Sequence, residues 1–266
     1  MTLSSFGFRP EDLSSVQEAQ ENIDAINALW VEVYKGNVPR DGFEGTVLHQ
    51  LAQDYLEEDT YPYSHLGSSA ECCVNNLGLI SALIDLYQNT GFHVPIWTIG
   101  SVSRSVLISA CRIFYVLLPT SPEERKANLL KIHNSNLKSR RRYERVSQNF
   151  ITLSALNRSY EPSSLSTNSG ISDTMMTELA VTYVIDNANL VAEDQSSTLK
   201  DYVAWMWNSW SGLAHGMEWP TSLPNLQGTH NSSLMPGNYS MDLLTLSVLA
   251  LKAVELCRDA FIGRPD

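Results

Sequence analysis

Apolar positions recur at three- and four-residue steps along almost the whole chain, and no stretch keeps the two-residue rhythm of a half-buried strand. Val16, Ile23, Ile26, Leu29, Trp30 and Val33 form one stripe of a first helix that ends near Gly36. Phe43 to Leu56 reads as a second helix, followed by Glu57-Glu58-Asp59 and a Tyr-Pro-Tyr break. Residues 68–89 carry Leu77, Ile80, Leu83, Ile84 and Tyr87 at helical spacing and are stopped by Gly91 and Pro95. A fourth helix runs from Trp97 to about Leu118, before Pro119. Ser121-Pro122-Glu123-Glu124 is the clearest start in the chain: serine caps, proline takes the first helical position, and Glu124 is placed to close a capping box. This fifth helix extends through a basic region towards Arg158. After a Ser-rich connection (159–172) come helices over 174–187 and 196–215. Residues 216–240, rich in Gly and Pro, read as one long loop. A last helix from Met241 to Phe261 is apolar on most faces and is therefore expected at the centre of the molecule.

The expected fold class is all-α: a single domain over residues 1–266, a bundle of about eight helices. Its parts are N-terminal acidic helices (11–90), central basic helices (97–158) and C-terminal helices (173–262). A hydrophobic content of 43% supplies a core. The four cysteines show no Cys-x-x-Cys spacing and read as buried thiols of a reducing compartment. With no signal-peptide pattern in the first residues, the expected location is the cytoplasm. The most apolar stretch, 98–118, contains Arg104 and Arg112, which argues against a membrane span.

The net charge of −11 is unevenly distributed. Residues 1–96 hold 3 basic and 14 acidic side chains, residues 97–158 hold 11 and 3, and residues 159–266 hold 4 and 12. The total repels phosphate at long range, whereas the central segment attracts it if its cations share a surface. Arg140, Arg141 and Arg142 are consecutive and fan over about 200° of a helix, so they cannot all read one groove. Arg104 and Arg112 lie two turns apart on an otherwise apolar helix and require partners, either the acidic first third or a shared anion such as phosphate.

One stretch concentrates candidate chemistry. In WNSWSGLAHGMEW (207–219), Asn208, Ser211, Gly212 and His215 fall on a stripe separate from the core stripe of Leu199, Tyr202, Met206, Trp210 and Leu213. His215 on that polar face is a candidate acid/base; equally, it suits a helix C-terminus, donating to a carbonyl and complementing the dipole. Trp205, Trp207, Trp210 and Trp219 suggest, as a further alternative, a small-molecule pocket. No metal-ligand spacing or cofactor fingerprint is present, so neither metal nor cofactor is expected.

SRSVLISACRIFYVLLPTSPEERKANLL (103–130), DTMMTELA (173–180) and YVAWMWNSWSGLAHG (202–216) resemble an uncharacterised group of bacterial helical proteins. In that group an Arg-Ser helix leads into an arginine-rich helix, and a later helix ends in a Ser-Gly-x-x-His-Gly-like motif. The group is similar to the HEPN superfamily, many of whose members are ribonucleases of defence and toxin systems. The resemblance spans about 97–216 and implies a HEPN-like fold and a homodimer. For an active enzyme it implies metal-independent RNA cleavage, with histidine handling protons and arginine stabilising phosphate. His215 matches the histidine, but Asn208 stands at the arginine position, and Ile108 stands where the group carries a glutamate. A neutral amide cannot supply the arginine's electrostatic help. The implied function is therefore a non-catalytic or regulatory protein that binds RNA or a protein partner. The alternative is an RNA endonuclease using His215, with Asn208 and Ser211 beside it.

Overall fold

The computed structural model describes residues 10–39, 41–53, 62–91, 96–147, 170–187, 196–215 and 236–263. Among them are eight α-helices and no strand: α1 (Pro10–Lys35), α2 (Val47–Gln53), α3 (Pro62–Thr90), α4 (Ile96–Leu117), α5 (Pro122–Ser147), α6 (Asp173–Asn187), α7 (Ser196–Ala214) and α8 (Pro236–Ile262). The all-α reading holds. One contiguous buried cluster draws apolar side chains from all eight helices.

Chain punctuation acts where the sequence places it. Gly91 follows α3 with φ +69°, a left-handed stop that costs a glycine little, and Asn37 takes the same region (φ 46°) after α1. At α5 the Glu124 N–H donates to Ser121 Oγ at 3.3 Å, as a cap requires. The return arm differs from expectation. Ser121 Oγ donates to Glu123 at 2.6 Å, while Glu124 accepts from Tyr183 of α6 at 2.5 Å. Helix α8 begins at Pro236, inside the expected loop, because a proline that reads as a breaker is also a favoured first helical residue. The remainder of that loop, Trp219 and the expected reach of α5 to Arg158 lie outside the described residues.

The centre of the bundle is α4 rather than the terminal helix. It packs against α3, α5, α6, α7 and α8, while α8 lies mainly along α1. From Val106 to Leu118 every residue of this stretch except Arg112 is buried. By length and composition α4 could cross a membrane, but 72% of its most apolar window is enclosed by neighbouring helices. Cysteines stitch the bundle with weak S–H donors: Cys72 to the Ser105 carbonyl, Cys73 to Val106 and Cys257 to Leu66, each at 3.8 Å. All four thiols are free; three are buried as expected, and Cys72 is half-buried. Burial pushes the Cys111 thiol up to about 12, which makes it a poor nucleophile.

Helix α7 packs mainly on α4 and meets the terminal helix through Asp242. The closest approach is at Gly100, where an added Cβ would meet Leu213 side-chain atoms at 2.8 Å. Gly100→Ala is therefore expected to destabilise by about 1–3 kcal/mol, since the contact lies inside a packed interface. Gly78→Ala, on α3 with nothing within 4 Å of the new methyl, is expected to stabilise by about 0.5–1 kcal/mol. Thermal and chemical denaturation of the two variants checks both signs.

Candidate anion-binding site on helix α4

Two guanidinium groups leave the buried helix α4 on one side. Arg112 Nη2 lies 3.6 Å from Asp173 Oδ1, and Arg104 Nη2 lies 4.0 Å from Asp173 Oδ2. One carboxylate thus faces two cations, one oxygen to each. The partner is not the acidic first third of the chain, as charge distribution suggested, but the first residue of α6. Arg104 also lies over the Trp207 ring of α7, 4.9 Å from its centroid, an arrangement that favours a planar cation.

Asp173 reaches this position through a short clamp. Ser135 of α5 donates to the Ile171 carbonyl at 2.7 Å and accepts from the Ile171 N–H at 2.9 Å. Ser172 then caps α6, its Oγ accepting from the Met175 N–H at 3.3 Å. The clamp fixes the turn, the cap fixes the helix start, and together they aim Asp173 at α4.

Beyond Arg112 lies a histidine pair that sequence reasoning missed. His65 Nε2 of α3 lies 3.3 Å from His133 Nδ1 of α5, and Asn136 Nδ2 lies 3.1 Å from His65 Nδ1. An amide nitrogen only donates, so His65 Nδ1 accepts and its proton sits on Nε2, directed at His133. A second proton would set two N–H groups against each other. Burial, then His133 and Arg112, push the His65 pKa down to about 4. His133 is also lowered by burial. The residues are 68 positions apart, so no short spacing announces the pair.

His215 lies elsewhere. It follows the last helical residue of α7, exposed, its backbone N–H donating to the Ser211 and Gly212 carbonyls at 3.1 and 3.2 Å. Among the described residues no hydrogen bond or ion pair links its side chain to an arginine. Arg104 meets α7 at Trp207, eight residues earlier, a rise of about 12 Å along the helix. Asn208 is exposed and donates to the Ala204 carbonyl of its own helix at 2.8 Å; Ser211 is half-buried. Asn208 and Ser211 thus share one helix with His215 just past its end, and among the described residues no arginine is bonded to them.

The basic run is dispersed. Arg125 donates to the Pro119 carbonyl at 2.6 Å and Lys131 to the Tyr115 hydroxyl at 3.4 Å, both folded back onto the bundle. Arg142 is exposed on α5; Arg140 and Arg141 share that helix, their side chains outside the described residues. The described tryptophans of α7 have different neighbours. Trp205 is exposed and stacks on Tyr202, Trp207 lies under Arg104, and Trp210 is buried beside Asp242. Among the described residues no three His, Cys, Asp or Glu side chains are placed to hold a metal.

Asp242 of α8 is the other buried ionisable group. Tyr202 and Trp210 of α7 both hydrogen-bond its carboxylate, yet burial prevails and pushes its pKa up to about 6. His65 and Asp242 therefore act oppositely on stability. The contribution of His65 is complete above its ordinary value of 6.5 and is lost as pH falls towards about 4. Asp242 is least costly at low pH, and its penalty grows as pH rises from 3.8 to about 6. On acidification from pH 7 to 4, the wild type is expected to lose roughly 3 kcal/mol relative to His65→Gln. Over the same range it should gain roughly 3 kcal/mol relative to Asp242→Asn. Denaturant titrations of the three proteins across that range check the opposite signs. No protein-family model, curated protein or solved structure matches the chain, so its chemistry is read from the site itself.

Proposed function

We propose that this chain is a non-catalytic, HEPN-like helical protein that binds an anionic macromolecular partner through the Arg104–Arg112 face of α4. The observation that carries this reading is the charge imbalance: among the described residues two half-buried guanidiniums share a single carboxylate, which leaves one positive charge uncompensated there. Such a site attracts an anion and gives it bidentate donors. The separation between His215 and the point where Arg104 meets α7 supports the non-catalytic part of this reading. Among the described residues no cation is paired with the His215 side chain, and Asn208 occupies the position where the resemblance implies an arginine. An imidazole alone moves protons but does not stabilise the charge that develops on a phosphate.

The exposure of His215 favours a second reading, a metal-independent ribonuclease in which a partner subunit brings the missing cation. A titration of fluorescent single-stranded RNA, with a parallel cleavage assay, separates the two. On the first reading RNA is bound with a salt-dependent affinity and left intact, and Arg104→Ala with Arg112→Ala weakens binding by about tenfold or more. His215→Ala leaves binding unchanged. Cleavage by the wild type that disappears in His215→Ala would overturn the non-catalytic reading, and absence of RNA binding would leave an acidic protein surface as the partner to be tested.

A further inference from the structure

The Arg104–Asp173–Arg112 arrangement is unusual in what it leaves unmade. At 3.6 and 4.0 Å both contacts are ionic but too long for hydrogen bonds. Among the described residues neither guanidinium has another acceptor, and Arg104 Nε is buried with no partner at all. Each guanidinium carries five N–H donors, so a buried unsatisfied one is costly. The first-turn N–H groups of Asp173 and Thr174 also carry no hydrogen bond among the described residues, and they point out of the positive end of α6. Asp173 is 43% exposed, and the guanidiniums are 24% and 34% exposed, so the site can be reached.

We propose that Arg104, Arg112 and the first turn of α6 form a receptor for the terminal phosphoryl group of a small phosphomonoester, with Asp173 as the internal anion that the ligand displaces. A carboxylate has two oxygens and one charge, and it is spread across two cations. A phosphomonoester has three terminal oxygens and up to two charges at neutral pH, which matches two guanidinium forks and a helix N-terminus together. The ligand class follows from this count: a phosphodiester offers only two free oxygens and one charge. This inference rests on the reading of the Arg104–Arg112 face as an anion site, and to the macromolecular partner it adds a small ligand for the same two arginines.

The test uses tryptophan emission of the full chain, since Trp207 lies directly under Arg104. Glycerol phosphate and inorganic phosphate are titrated at constant ionic strength, with acetate and chloride as controls and single-stranded RNA in parallel. The expected result is a saturable response to glycerol phosphate and not to acetate or chloride. Affinity should fall at least tenfold in Arg104→Gln and Arg112→Gln and rise about tenfold in Asp173→Asn, where the competing charge is gone. If the glutamine variants fail to fold, the lysine variants keep the charge, lose the planar fork and should still bind more weakly. A purely structural ion pair predicts no gain in Asp173→Asn. No saturable response in the wild type and Asp173→Asn, or an equal response to acetate, overturns the inference. RNA bound through the same arginines without glycerol phosphate overturns it while leaving the proposed function standing. Glycerol phosphate bound without RNA supports it and instead counts against a nucleic-acid partner.

Discussion

Helix α4 has to meet two demands that conflict. It is enclosed by five other helices and must therefore be apolar on nearly every side, yet it carries two guanidinium groups that cannot be left without a counter-charge. The arrangement of α5, α6 and α7 around it reflects that conflict. Helix α7 presents an aromatic face to Arg104, α6 presents its first carboxylate to both arginines, and α5 fixes the turn that delivers α6. Removing one of these supports would leave charge in a region otherwise filled by Val106, Leu107, Ile113 and Phe114. The polar site is therefore part of the architecture of the core rather than an addition to its surface.

Helix positions were largely legible because the period of apolar residues is a local property. The stops at Gly91 and Gly36-Asn37 and the start at Ser121-Pro122 needed only neighbouring residues. Where local reading failed, two principles competed at one residue. Pro236 breaks a helix from within but begins one from outside, and nothing nearby decides between the roles. The rank of the helices was harder to read. Terminal α8 and central α4 are both apolar, and only packing shows that α4 has five helices against it.

The site was half legible. Arg104 and Arg112 stood out because charge on an apolar helix demands a partner, but the partner itself, Asp173, lies 61 residues beyond Arg112 in the chain. Its segment had been singled out only through the DTMMTELA resemblance. Charge totals pointed to the first third instead, because they count side chains without knowing which are aimed inward. The His65–His133 pair was invisible for the same reason: a contact between α3 and α5 is set by tertiary packing. Conversely, the His215 stretch drew attention by its unusual composition, and it meets Arg104 at Trp207, eight residues before the histidine.

The clamp at Ser135 has a mechanical consequence. A single hydroxyl both gives a hydrogen bond to Ile171 and takes one from it, and Asp173 follows two residues later. Helix α5 and the carboxylate opposite the arginines are therefore tied through one turn. A displacement of α5 at Ser135 would bear on how closely the carboxylate meets the two guanidiniums, with no rearrangement of α4 needed.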